Sequence, residues 1–333
     1  SEPSRSVNIK IFCMLDNYGI IIFMVMKKII SIVIFLLISS HTAVAVEKFK
    51  FKYNLPENLP KKWITEFNDI MNIVQEVMPI NENTNHWVKN NMKLMNMKQG
   101  YSMDVYAWKS TKNPFPEKRA NMKYSVLEAL NSPAPWLQLD INPNDLKSSV
   151  NKIRTYSVVV HEYFHVYQRA LSHDKILDRN SPKWLFEGGA KVLEEIYLKQ
   201  YYKKYLLKND LKQSDNWSIK RVSEEPKLYE KYNTSPQKKG FDNNYSGSAF
   251  IVLALVNELK KNNISEQKAF ELVFREFWIQ RAKKPQGWNW QPAFKNTFGM
   301  TVPEFYERLS KYKRKDLKKI LPSKSLKIQD IFS

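Results

Sequence analysis

His161 and His165 stand four residues apart with a carboxylate beside the first of them, in His161-Glu162-Tyr163-Phe164-His165. On a helix, positions four apart share a face, so both imidazoles can reach one metal ion. Glu162, one step further round, can sit beside the metal's open position and take a proton from a bound water. The stretch that must present these groups is apolar. Val158-Val159-Val160 precede the motif, Phe164 and Val166 continue it, and residues 148–170 contain no Gly or Pro. A buried helix is expected. The alternative is two core histidines and a surface glutamate that happen to fall at this spacing. Composition weighs against it, because the chain has only 5 His and two of them stand here.

The third ligand decides the kind of site. A metzincin pattern would need Gly at the position of Gln168 and His at the position of Leu171. His173 lies among Ser172, Asp174 and Lys175, where the helix is expected to have ended. Glu187, in Trp184-Leu185-Phe186-Glu187-Gly188-Gly189-Ala190, is the better candidate. It opens a second apolar helix, and its two following glycines let another backbone approach closely. Two imidazoles and one carboxylate, with one place left for water, form the layout of a catalytic rather than a structural zinc site. One Zn2+ per chain is expected.

The H-E-Y-F-H motif followed after 18 residues (166–183) by W-x-x-E-G-G-A resembles the gluzincin zinc metallopeptidases. These include the aminopeptidase N and thermolysin families and the bacterial peptidase MA-like domains. The resemblance covers residues 100–310 in outline and is sharp only at the two motifs. It implies that His161, His165 and Glu187 bind zinc and that Glu162 is the general base. It also implies an α+β fold: a zincin-like catalytic domain with a small mixed sheet and an active-site helix, then a mainly helical C-terminal part.

Hydrolysis of an amide builds an oxyanion that needs a donor besides the metal. Thermolysin-like enzymes use a histidine well after the third ligand, and this chain has none after His173. Aminopeptidase N-like and peptidase MA-like enzymes use a tyrosine in this region, and Tyr245, before the apolar helix of residues 248–259, is the position that matches. A packing tyrosine is the alternative. The G-x-M-E-N segment with which the aminopeptidase N family binds a free amino terminus is absent before His161. Endopeptidase activity is therefore expected ahead of aminopeptidase activity.

The remaining elements follow from periodicity. Residues 47–53, 101–108 and 136–141 alternate as strands do, and the last is either an antiparallel edge strand over the zinc or an ordinary internal strand. Residues 60–77 form an amphipathic helix with Trp63, Ile64, Phe67, Ile70, Met71 and Val74 on its apolar side. Met92, Met95, Met97 and Met103 read as adaptable packing. The ligand-bearing helix is expected to run to Leu206, with Glu194 or Glu195 orienting a histidine ligand and at least one of the two exposed. Residues 207–243 read as loops and short helices, residues 272–278 as a helix, and the basic tail after Lys311 as partly mobile. The domain boundaries are 46–206 for the zincin-like part and 207–333 for the helical part.

Residues 26–45 have the parts of a secretory signal peptide: Met26-Lys27-Lys28, an apolar centre, and Ala43-Val44-Ala45 as a cleavage site. Cleavage after Ala45 is expected, with residues 1–25 an upstream leader that is not native. The competing membrane anchor over residues 18–39 would place Lys27 and Lys28 mid-bilayer, at roughly 2.5–3.5 kcal/mol each. The mature form is thus expected without a transmembrane anchor, secreted or periplasmic. Its removal takes away the single Cys, Cys13, so no disulfide framework exists. It also takes 4 of 53 basic and 2 of 33 acidic residues, leaving 49 and 31, a charge of +18. That balance suits an anionic envelope surface. The basic residues are spread out and no nucleic-acid module is present, so no specific nucleic-acid partner is expected. The reading is a zinc metallopeptidase acting on a peptide or protein substrate. The alternative is a catalytically silent, zinc-stabilised binding protein of the cell envelope.

Overall fold

A computed structural model describes residues 51–55, 60–80, 101–107, 138–141, 149–172, 181–213, 216–230, 243–283 and 290–333. The leader and signal segment, His173, and Met92, Met95 and Met97 lie outside the described residues. In chain order the elements are β1 (Phe51–Asn54), α1 (Lys61–Val77), β2 (Tyr101–Ala107), β3 (Gln138–Ile141), α2 (Ser149–Leu171) and α3 (Lys183–Tyr202). Then come α4 (Leu206–Gln213), α5 (Asn216–Glu224), a 3-10 turn (Pro226–Tyr229) and α6 (Asn243–Lys261). The last group is α7 (Glu266–Glu271), a π-helical turn (Leu272–Glu276), α8 (Phe277–Lys283), α9 (Gln291–Phe298) and α10 (Val302–Leu309). A second 3-10 turn (Arg314–Asp316), α11 (Leu317–Ile320) and α12 (Ile328–Phe332) end the chain.

The expectation of an α+β, zincin-like domain with a small mixed sheet is overturned. The described chain is overwhelmingly helical. Its three short strands pair in the order β1-β2-β3, and both pairings are parallel. Of the two readings of residues 136–141, the antiparallel edge strand has no antiparallel partner among the described residues; β3 runs parallel to β2. The buried core of the described residues is drawn mainly from the helices. Alternation in a short run marks a strand, but it carries no information about the direction of the partner.

Two helices form the centre. A helix that is apolar on every side must be buried, and α3 is buried along almost its whole length from Lys183 to Lys199. In α6, Ala249 to Val256 form an unbroken buried run. The two cross at small residues. A Cβ at Gly188 would overlap the backbone carbonyl of Ser248, and one at Gly247 would meet the Tyr229 ring at 2.7 Å and Val222 at 2.9 Å. The glycines are therefore needed for contact distance.

The other elements pack around this pair. Trp63, Phe67, Ile70, Met71 and Val74 of α1 are all buried, as their spacing requires. Trp63 Nε1 donates to Thr155 Oγ1 at 3.0 Å, and the Tyr163 hydroxyl donates to the Met78 carbonyl at 2.7 Å, so α1 is pinned to α2 at both ends. Trp184 packs in an aromatic cluster with Trp290, Phe294 and Phe305. Its Nε1 donates to the Tyr306 hydroxyl at 3.0 Å, which donates in turn to Glu230 Oε1 at 2.7 Å. Helix α3 stops at Tyr202, short of the expected Leu206, because Lys203 takes a left-handed conformation at φ 56°. The tail expected to be partly mobile is docked: Leu326, Ile328 and Ile331 are buried, and the Ile328 amide donates to Gln200 Oε1 at 2.9 Å.

The crossing separates two neighbouring glycines. Alanine at Gly188 gains helix propensity but drives its methyl into backbone that cannot rotate away, so Gly188→Ala is expected to destabilise by about 1–3 kcal/mol. A Cβ at Gly189 meets side chains alone, at ordinary contact distances: the Phe164 ring at 3.4 Å, Gln168 Nε2 at 3.6 Å and the Phe274 ring at 3.9 Å. Gly189→Ala should therefore be neutral or stabilising by up to about 1 kcal/mol. Urea denaturation of both variants checks the contrast, and equal effects would show that the crossing is not close-packed.

Candidate metal centre

The motif helix and the third-ligand helix face each other along two side-chain ladders. On α2 the ladder is Ser157, His161, His165 and Gln168; on α3 it is Glu187, Lys191 and Glu194. Both follow i, i+3 and i, i+4 spacing, which places successive members on one helix face. At the centre, His161 Nε2 lies 3.2 Å from Glu187 Oε2, His165 Nε2 lies 3.2 Å from the same oxygen, and the two Nε2 atoms are 3.0 Å apart. His161 and Glu187 are 6% exposed and His165 8%, so the group is buried.

The second layer settles where the ring protons sit. Glu194 Oε1 is 2.6 Å from His161 Nδ1, while Oε2 accepts from Ser157 Oγ at 2.9 Å and from Lys191 Nζ at 2.9 Å. Burial works against the Glu194 anion, but Lys191 and His161 outweigh it and hold its pKa down at about 2. An ionised carboxylate only accepts, so His161 Nδ1 carries the hydrogen. Gln168 Nε2 donates to the Phe186 carbonyl at 3.2 Å, which turns its Oε1 toward His165 Nδ1 at 2.8 Å. That oxygen also only accepts, so His165 Nδ1 carries the hydrogen too. In the neutral tautomers both Nε2 lone pairs then point at the Glu187 oxygen, and three acceptors converge on one space.

Only a cation relieves such an arrangement, and His161, His165 and Glu187 can hold a metal ion. The dimensions agree. Tetrahedral bonds of about 2.0–2.1 Å set ligand atoms about 3.3 Å apart, close to the 3.0–3.2 Å separations here. In the metal-free protein a proton fills the same role. Burial disfavours the imidazolium of His161, but Glu187 and Glu194 outweigh it and raise its pKa to about 10. Burial likewise raises Glu187, yet the two imidazoles hold it well below the usual carboxylate range.

Every residue expected at the site is at or beside it. Glu162 is half-buried on α2 next to His161, and no hydrogen bond or ion pair engages its carboxylate among the described residues. Tyr245 is in the first turn of α6, half-buried, with its ring 5.9 Å from that of His161 at an interplanar angle of 64°. The α3–α6 crossing brings it there, since Ser248, which touches Gly188, lies three residues beyond it. Lys183 Nζ stands 5.5 Å from the centre of the Tyr245 ring.

Of the two glutamates weighed for orienting a histidine, Glu194 does so. Glu195 instead accepts from the Leu207 amide at 2.9 Å at the start of α4. The expectation that one would be exposed is corrected, because both are 4% exposed. Sequence reasoning missed Gln168, Ser157 and Lys191. Helical spacing from the motif could have found Gln168 and Ser157, at three after His165 and four before His161. Phe186 was also missed; its ring stacks on His165 at 4.0 Å and 11°.

Two outcomes check the centre. Gln168→Ala releases the His165 tautomer and is expected to weaken metal binding about 10–100-fold with helix content unchanged, measured by competition with a chromogenic chelator. A metal entering at neutral pH must displace the proton that His161 retains up to a pH of about 10. Affinity should therefore rise as pH rises toward that value, with a proton released per ion. Calorimetry in two buffers of different ionisation enthalpy reads that release, and identical heats would refute it.

The chain matches no protein-family model, no curated protein and no solved structure. The chemistry of the centre therefore rests on its own residues.

Proposed function

We propose that the chain is an exported, zinc-dependent metallopeptidase that cleaves peptide bonds internally. The observation that carries this reading is the convergence of three buried lone pairs beside a carboxylate, Glu162, that forms no hydrogen bond or ion pair among the described residues. A zinc ion held by His161, His165 and Glu187 would supply a coordinated water with its pKa lowered to about 7 and a Lewis acid for the substrate carbonyl.

The chain's own residues do the rest. Glu194 and Gln168 hold the imidazoles in the tautomers whose Nε2 lone pairs face the centre. Glu162 accepts the proton of the attacking water and delivers it to the leaving amine, which no amide can lose as a free anion. The Tyr245 hydroxyl donates to the oxyanion that develops on the substrate carbonyl. Its position at the mouth of α6 is fixed by close packing, so little reorganisation accompanies the step. A binding module has no need of an unengaged carboxylate at this place, which favours the hydrolase over the silent binding protein. The absence of a G-x-M-E-N segment favours internal cleavage.

Glu162→Gln is expected to keep one zinc per chain and lose at least about 100-fold in turnover. Tyr245→Phe should lose about 100- to 1,000-fold in kcat with KM little changed. Mass-spectrometric profiling of a complex peptide mixture, beside zinc analysis of each protein, makes both measurements. Equal cleavage by wild type and Glu162→Gln would rule the mechanism out, and zinc binding without any cleavage would leave the binding protein.

A further inference from the structure

A second concave surface, made of residues the metal centre does not use, lies where α4 meets the C-terminal turns. It is a cleft of about 480 Å3. Its floor is apolar, formed by Leu211, Leu317 and Leu321, and its rim is cationic, formed by Lys208, Arg314, Lys315 and Lys318. No acidic residue lines it among the described residues.

The fold keeps the rim positive by directing nearby carboxylates elsewhere. Asp210, on the same helix as Lys208, forms an ion pair with Arg154 at 2.7 Å. Asp316 is the only acidic residue in the stretch 311–327, which holds eight Lys and Arg. Its Oδ2 accepts from the Lys313 amide at 2.9 Å as a cap. No described carboxylate pairs with Lys208, Lys315 or Lys318. Leu211 and Leu317 are buried and Leu321 half-buried, while Lys315 and Lys318 are exposed.

Cations around a leucine floor match an anionic group attached to an apolar body. A free anion or a polar polyanion would satisfy the rim and leave the apolar side of the cleft, where Leu321 is the accessible leucine, facing water. We propose that this cleft docks the protein on an anionic phospholipid surface, with a headgroup phosphate among Lys208, Arg314, Lys315 and Lys318 and the adjoining carbons on the leucines. Each basic residue held at such a surface contributes about a factor of five in affinity.

Co-sedimentation of the full chain with vesicles tests this. Phosphatidylcholine vesicles are compared with vesicles of phosphatidylcholine and phosphatidylglycerol, so that insertion of the apolar N-terminal stretch registers on both. Wild type is expected to favour the anionic vesicles, and the triple variant Lys208→Glu, Lys315→Glu, Lys318→Glu to lose that preference, at least about 100-fold. A triple Gln variant at the same sites should fall between, and zinc content checks that each protein is folded. A control with the same charge change at exposed lysines elsewhere, Lys61→Glu, Lys62→Glu, Lys295→Glu, should keep most of the preference. Equal loss in both Glu variants would overturn the proposal in favour of diffuse charge. Release by inorganic phosphate at constant ionic strength would overturn it in favour of a small-anion site, and no preference for phosphatidylglycerol would end it.

Discussion

Three acceptor atoms held within 3.2 Å of one another in a buried space repel one another unless a positive charge stands between them. The fold of residues Glu47–Ser333, which pack as one unit, is organised around that constraint. Glu194 and Gln168 prevent the rings from turning their N–H groups inward, and Lys191 balances the Glu194 charge. A proton on His161, facing the Glu187 carboxylate, satisfies the space in the metal-free protein. A metal ion held by His161, His165 and Glu187 would satisfy it in the same way.

Burial makes this arrangement consequential. Unpaired buried charge is strongly destabilising, whereas the same charges fully partnered are tolerated. His161, His165, Glu187, Glu194 and Gln168 accordingly each have a named partner, and aromatic rings flank the imidazoles, with Phe186 flat against His165 and Tyr245 edge-on to His161. Glu162 is the exception. It stands half-buried with no hydrogen bond or ion pair among the described residues, as suits a group that is to exchange a proton with a water and a leaving amine. Under the proposed function, rigidity in the ligands and freedom in the base are complementary requirements.

The backbone supplies the precision. Gly188 lets the Ser248 carbonyl approach α3 one residue from the ligand Glu187, and the same turn of α6 carries Tyr245. The alternation of small and large residues at this crossing therefore couples helix packing to the placement of the hydroxyl. The cationic cleft arises differently. It is formed after the ligand helix has ended at Lys203, where the chain turns and the basic C-terminal segment folds back onto α4.

The sequence by itself pointed to the group His161, His165 and Glu187 that could hold a metal ion, because imidazoles four apart on an apolar helix and a carboxylate opening a second one are local patterns. It also determined the amphipathic face of α1, the apolar character of α3, and the candidate roles of Glu162 and Tyr245, by residue type and position. Tertiary structure alone decided that the strands run parallel, since alternation is blind to strand direction. It alone decided that Glu194 faces His161 while Glu195 caps α4, because adjacent residues on a buried helix point about 100° apart and only the neighbours reveal which face is which. Gln168, Ser157 and Lys191 became visible for the same reason: a polar side chain takes its meaning from the atom it bonds, and that atom belongs to another helix or to a ring whose orientation folding sets.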